Sequence, residues 1–237
     1  MREKELMTAA AAWGLDLAPG GTDRLIRLAD LVVEANAAVR LTAITDWRGM
    51  LAKHLLDSLA PLAAGYSPPR GACLADLGSG GGFPGLVLAS VWPGADLVLI
   101  EAVRKKADFL RMAAAELGLA NVSVWARRSE EAGRGAGREA FTLVTARAVA
   151  ELRVLVELAL PLLGTGGELL AWKGPEADRE AAAAATALAV LGGEVCGAYR
   201  YGLPGEAGQR VLLRVRKIRP TPDTFPRRPG MAGKRPL

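Results

Sequence analysis

Apolar and polar positions change rhythm once along this chain. In TDRLIRLADLVVEANAAVRL, apolar residues recur at Leu25, Leu28, Val32 and Ala35, the spacing of one helix face, with Thr22 placed to cap it. DWRGMLAKHLLDSLAPLA repeats the spacing through Leu51, Leu55, Leu59 and Leu62. Residues 1–64 are therefore predicted to be helical. GYSPPRG, residues 65–71, breaks the chain with two prolines and two glycines. Beyond it, short apolar runs at 72–77, 96–101, 121–126, 141–146 and 168–173 read as strands. Helical stretches separate them, clearest at 104–117, then at 151–162 and, rich in alanine, at 176–191. Such alternation predicts an α/β fold, a mainly parallel sheet covered on both faces. GEVCGAYRYGL and QRVLLRVRKI, joined by PGEAG, should close it as an antiparallel hairpin.

Charge divides the chain differently. The net charge is +5, yet Lys217 to Leu237 holds six basic residues and one acid, so residues 1–216 are neutral in sum. Five prolines fall among the last twenty residues, which predicts an extended segment with no core of its own. A basic end on a neutral body points to a polyanionic partner. No apolar run reaches the roughly 20 residues of a membrane span, and the start lacks a signal-peptide pattern, so a cytoplasmic location and no membrane contact are expected. Cys73 and Cys196 read as core thiols. With His54 the only histidine, no metal site is expected.

The candidate chemistry begins at CLADLGSGGGFPG, where five glycines fall within eight residues after a carboxylate. Gly80-x-Gly82-x-x-Gly85 fits a dinucleotide fingerprint; Asp76-x-Gly78-x-Gly80-x-Gly82 fits a loop holding S-adenosylmethionine. The strand run ends at Leu77, so a dinucleotide turn starting at Gly80 comes two residues late. Asp76 beside a pyrophosphate would repel it, whereas an ammonium or sulfonium would be attracted. Glu101, ending the next strand run, is placed for ribose hydroxyls. A nucleotide-dependent oxidoreductase and a non-catalytic RNA-binding factor stay open as alternatives on the loop alone.

Further segments carry a resemblance: VRLTAITD (39–46), HLLDSL (54–59), RRSEE (127–131), TARAVAEL (145–152), AWKG (171–174) and FPRRPGMAGKRPL (225–237). With DLGSGGGFPG, they make the chain resemble the bacterial small-subunit ribosomal RNA methyltransferase G family, also called glucose-inhibited division protein B. The resemblance implies a Rossmann-like class I methyltransferase with a seven-stranded sheet. Its parts would be a helical extension (1–64), a methyltransferase domain (65–217) and a basic tail (218–237). It implies methyl transfer from S-adenosylmethionine to nitrogen seven of a guanine in 16S ribosomal RNA, naked or in the 30S subunit, by a monomer with no protein partner.

Carried over, the cofactor contacts are Asp76, Gly78, Gly80, Gly82, Phe83, Glu101, Ala102, Ser129, Glu130 and Arg147. Arg147, His54 and Asp57 would form the catalytic group. A buried His54–Asp57 hydrogen bond tying the extension to the sheet is the alternative use of that pair. Lys173, Arg214, Arg216, Arg227, Arg228, Lys234 and Arg235 are the RNA-contact candidates. Arg40 stands where the family more often has asparagine before Leu-Thr. RGAGRE, residues 134–139, reads as a flexible basic loop without a role. Guanine nitrogen seven has an in-plane lone pair and no proton, so transfer needs no general base. Phe83 and Trp172 are the candidates to stack on the base.

Overall fold

The computed structural model describes residues 1–237, the side chain of Pro19 excepted. Seven strands form one sheet: β1 (Cys73–Leu77), β2 (Asp96–Ile100), β3 (Val122–Trp125), β4 (Phe141–Arg147), β5 (Leu163–Lys173), β6 (Gly193–Gly202) and β7 (Gln209–Lys217). Their order is β3-β2-β1-β4-β5-β7-β6. β1 to β5 run parallel, and β7 enters antiparallel between β5 and β6. The order reverses between β1 and β4, and their carboxyl ends therefore open the crevice in which such sheets bind ligands.

Helices cover both faces. On one side lie α1 (Arg2–Ala11), α2 (Pro19–Val39), α3 (Trp47–Gly49), a π-helical segment (Met50–Leu56), α4 (Ala60–Ala63), α5 (Gly85–Val91) and α6 (Arg104–Glu116). Leu25, Leu28 and Val32 share one core with Leu86, Leu97 and Phe109, so the N-terminal helices are built onto the sheet. The other face carries α7 (Ser129–Arg134), α8 (Leu152–Ala159), α9 (Ala177–Ala183), α10 (Ala185–Leu191) and α11 (Met231–Lys234).

Several expectations change in detail. α2 starts at Pro19, before Thr22, because proline's fixed φ suits a first helical position. Thr22 is buried inside the helix, its hydroxyl donating to the Ala18 carbonyl at 3.4 Å. α5 has no amphipathic signal because Gly85 to Ser90 are buried on every side. Only one thiol is a core group: Cys73, half-buried, packs against the core, whereas Cys196 is exposed on the edge strand β6.

The tail differs most. Far from lacking a core, it folds over the face that carries α7 and α8. Ala232 and Thr221 are buried, and Phe225 and Leu237 join that core. Its docking sites are the arginines of RGAGRE. Arg134 Nε donates to the Pro226 carbonyl at 2.6 Å, and Arg138 donates to the carbonyls of Phe225 and Thr221 at 2.8 and 2.7 Å. Lys217 is wholly buried, its Nζ donating to Glu139 and to the Leu163 carbonyl. Carbonyls of an extended, proline-rich chain cannot all pair within it, and arginine forks satisfy them.

Candidate active site

The glycine loop leaves β1 at Leu77 and turns at once. Gly78 and Gly80 have φ of +65° and +54°, where a side chain is strained. Gly78 N–H donates to the Ile100 carbonyl at 2.8 Å, and Gly80 N–H to Glu101 Oε2 at 3.0 Å. Gly82, at φ +89°, is required by conformation and packing alike, and Gly85 serves packing alone. A Cβ on Gly82 would meet Leu86 at 2.5 Å, and one on Gly85 would meet Leu99 at 2.4 Å. Glu101 thus occupies a loop N–H that a dinucleotide's pyrophosphate would otherwise use, and sets a carboxylate beside it, which disfavours the oxidoreductase alternative.

Above this loop lies a cavity of about 330 Å³, lined by Gly78, Glu101, Ala102, Ser129, Glu130 and Val149 among others. Glu101 Oε1 also accepts from Val103 N–H at 2.7 Å, yet each oxygen keeps a lone pair for a ribose hydroxyl. Asp76 does not line the cavity. It is fully buried beneath the loop, one oxygen accepting from Thr145 Oγ1 at 2.7 Å and the other without a partner. Burial pushes its pKa up to about 6. An unpaired carboxylate oxygen under a glycine turn, and a second carboxylate at the rim, fit a cationic nucleoside such as S-adenosylmethionine.

His54 and Asp57 do not bond each other; Arg147 bridges them. One guanidinium nitrogen donates to Asp57 Oδ2 at 2.9 Å and to the Lys53 carbonyl at 2.8 Å. The other lies 3.1 Å from His54 Nδ1. The π-helical turn makes this possible by leaving the Lys53 carbonyl to face Arg147. Arginine only donates, so Nδ1 accepts and Nε2 carries the hydrogen, donating to Thr42 Oγ1 at 2.7 Å. Burial, then Arg147, lowers the His54 pKa to about 4, so the ring is neutral. Asp57 Oδ1 accepts from the Tyr201 hydroxyl at 2.7 Å, and burial with Asp57 alongside raises the Tyr201 pKa. Trp172 Nε1 donates to the Asp57 carbonyl at 2.7 Å. Tyr201 carried no motif signal, because its partner Asp57 lies 144 residues away; Thr42 falls within VRLTAITD, twelve residues before His54.

The His54 ring stacks on Phe83, centroids 4.5 Å apart, and Arg147 covers the same ring at 5.6 Å. Phe83 is thereby a spacer between loop and π turn, with its face occupied. Arg40, at φ +54°, caps α2. The amide contacts there come from Asn36, which accepts from Leu41 and Thr42 N–H and donates to the Thr42 carbonyl.

A second cavity, about 570 Å³, opens beside this cluster between His54, Asp57, Arg147, Trp172, Lys173 and Arg210. It shares Val149 and Ala150 with the first, so the two meet just beyond the end of β4. Lys173 is buried there, its Nζ donating to Glu180 and to the Ala150 carbonyl, both at 2.7 Å. Arg214 and Arg216 lie elsewhere. Both are held by Glu168, five residues before Lys173 and so about 16 Å back along β5. Arg210, on the same strand, is exposed in the cavity. Arg227 is taken up by the buried Glu157. Arg228, Lys234 and Arg235 are exposed. Among the described residues, no group of three or more His, Cys, Asp or Glu is placed to hold a metal, and no helix is long and apolar enough to cross a membrane.

Fold and site together define a class I S-adenosylmethionine-dependent methyltransferase. The TYW2 protein of M. jannaschii, solved in complex with AdoMet, shares the fold with a TM-score of 0.53 at 11% identity, over 86% of this chain and 79% of that one. The family described as rRNA small subunit methyltransferase G matches residues 22–200. Ribosomal RNA small subunit methyltransferase G of Symbiobacterium thermophilum is 44% identical, covering 96% of this chain and 94% of that protein. Its counterpart from Chloroflexus aggregans is 46% identical, covering 99% and 98%. The chain belongs to the rRNA small subunit methyltransferase G family.

Proposed function

We propose that this protein methylates nitrogen seven of a guanine in 16S ribosomal RNA, as a cytoplasmic monomer, by direct transfer without a general base. The observation that carries the reading is the meeting of two cavities past the end of β4, one suited to a nucleoside and one where the exposed Arg210 stands among ion-paired charges. S-adenosylmethionine supplies an electrophilic methyl on a positively charged sulfur. Glu101 holds the ribose, Ser129 and Glu130 wall the nucleoside side, and Asp76 attracts the positive charge through the loop.

The acceptor cavity holds no unpaired base: its carboxylates Glu151 and Glu180 are ion-paired with Arg153 and Lys173. Both nitrogens of His54 and both carboxylate oxygens of Asp57 are already bonded. That suits an acceptor nitrogen with an open lone pair and no hydrogen. The work of these residues is positional: Asp57, His54 and the Lys53 carbonyl fix the Arg147 fork, and Arg147 fixes the wall facing the base. Arg210 and Arg147 are placed to donate to the guanine six-oxygen, as arginine does when reading guanine in DNA. The base must be unpaired to enter. Phe83 and Trp172 act as scaffold rather than stacking partners.

The test supplies labelled S-adenosylmethionine with protein-free 16S RNA and with assembled 30S subunits, then maps the modified base. Label at guanine nitrogen seven in either substrate is expected; no incorporation into either would refute the reading.

A further inference from the structure

The cofactor cavity is not closed by the sheet domain alone. Gly230, Ala232 and Gly233 of the C-terminal segment line it opposite the glycine loop's Gly78. Gly230 N–H donates to Glu130 Oε1 at 2.8 Å, across 100 residues of sequence. Glu130 is itself a buried wall residue, 6% exposed, and Gly230 supplies its one observed partner. The segment is anchored on the elements that build the cavity: on α7 through Arg134, and on α8 through Glu157. Arg227 grips Glu157 with Nε and a terminal nitrogen, and its backbone N–H adds a third contact at 2.9 Å. Ala232 is 2% exposed.

We propose that residues 225–235 are a built wall of the cofactor site and set how tightly S-adenosylmethionine is held. This rests on reading the cavity as the cofactor site. Two effects of the wall favour the ligand. It fixes the Glu130 carboxylate, so the ligand need not order it on binding. It also keeps water off that side of the cavity, which strengthens the attraction between Glu101, Glu130 and a cationic nucleoside.

The experiment titrates S-adenosylhomocysteine into the full-length protein by calorimetry, and into two variants. A chain ending at Pro229 keeps Arg227 on Glu157 and Arg134 and Arg138 on their carbonyls while removing Gly230 to Leu237, at the loss of only Arg227's bond to the Arg235 carbonyl. Gly233→Trp keeps the segment but crowds the wall; a Cβ there meets nothing within 4 Å, so the substitution begins without a backbone clash. Both variants are expected to bind at least tenfold more weakly, and steady-state assays should show a raised KM for S-adenosylmethionine with kcat little changed. Full-length affinity in a folded truncated chain would overturn the proposal. Should that chain fail to fold, Gly233→Trp decides alone, and full-length affinity there overturns it equally. Absence of binding to the full-length protein would overturn the cofactor reading and this proposal with it.

Discussion

Arg147 is the residue on which most of the candidate site depends. Its fork reaches a carboxylate, an imidazole and a main-chain carbonyl at once. A lysine carries the charge but not the planar fork, so Arg147→Lys leaves at least one of these unpaired. Methylation by Arg147→Lys is expected to fall by about a hundredfold or more, in line with losing one preorganised electrostatic contact. Activity within a few-fold of wild type in the labelled-methyl assay would remove Arg147 from the machinery. Arg40 makes the opposite case. Its φ of +54° suits glycine, so Arg40→Gly is expected to stabilise the fold by about 0.5–1 kcal/mol, read as a higher urea midpoint. The buried titratable pair makes a pH prediction. Between pH 6.5 and about 4 the unfolded chain binds a proton at His54 that the folded chain refuses, so stability falls as pH falls, on the order of 2 kcal/mol. Asp76 runs the other way. Its pKa is raised to about 6 in the fold, so the folded chain binds the proton first and stability rises on acidification. The two contributions offset over much of that window. Asp76→Asn removes one of them, and its urea midpoint should drop more steeply from pH 6.5 to 4.5 than that of wild type; equal slopes would contradict the assignment.

At the level of elements, legibility follows how much of a segment's environment is local. The five parallel strands and α6 are where their apolar runs place them, within one or two residues, except that β5 begins at Leu163. Its first half, through Gly164, Gly166 and Gly167, has no strand composition: Leu163 pairs with Phe141, and the register then shifts before Glu168 meets Leu143. The alanine run at 176–191 splits into α9 and α10 at Ala184. α7 was unreadable for a different reason: six residues are too few for a helical period. The site shows the same divide. Gly78 and Glu101 sit at strand ends, where spacing alone locates them, and both reach the cavity. The Tyr201–Asp57 contact spans 144 residues, and the tail's grip on α8 spans 70. No local pattern announces either. The second contact is open to a direct test. Arg227→Ala leaves Glu157, 1% exposed, without its cation, and the expected destabilisation is about 3 kcal/mol. A loss below 1 kcal/mol in urea unfolding would show that the Arg227–Glu157 pair adds little to the docking already made through Arg134 and Arg138.

Across the whole molecule, net charge is a poor guide to where a polyanion meets the surface, because much of the tail's charge is spent internally. Lys217 neutralises Glu139, and Arg227 neutralises Glu157. Higher in the sheet, Arg214 and Arg216 share Glu168. What stays exposed in the last ten residues is Arg228, Lys234 and Arg235, on the same segment that walls the cofactor cavity, while Arg210 stands in the acceptor cavity. RNA lying across both openings would therefore meet these cations rather than the whole basic tail. Each phosphate contact to single-stranded RNA changes the slope of log affinity against log salt by roughly 0.7. Replacing Arg228, Lys234 and Arg235 together with alanine should flatten that slope by about two. The same variant keeps Gly230, Ala232 and Gly233 and should bind S-adenosylhomocysteine as the wild type does. The paired cations make the control: Arg214→Ala with Arg216→Ala should leave the slope unchanged, since Glu168 already holds both side chains about 16 Å from the acceptor cavity. A slope that flattens equally in both variants would mean that RNA wraps the far end of the sheet as well, and that the ion pairs at Glu168 open to receive it.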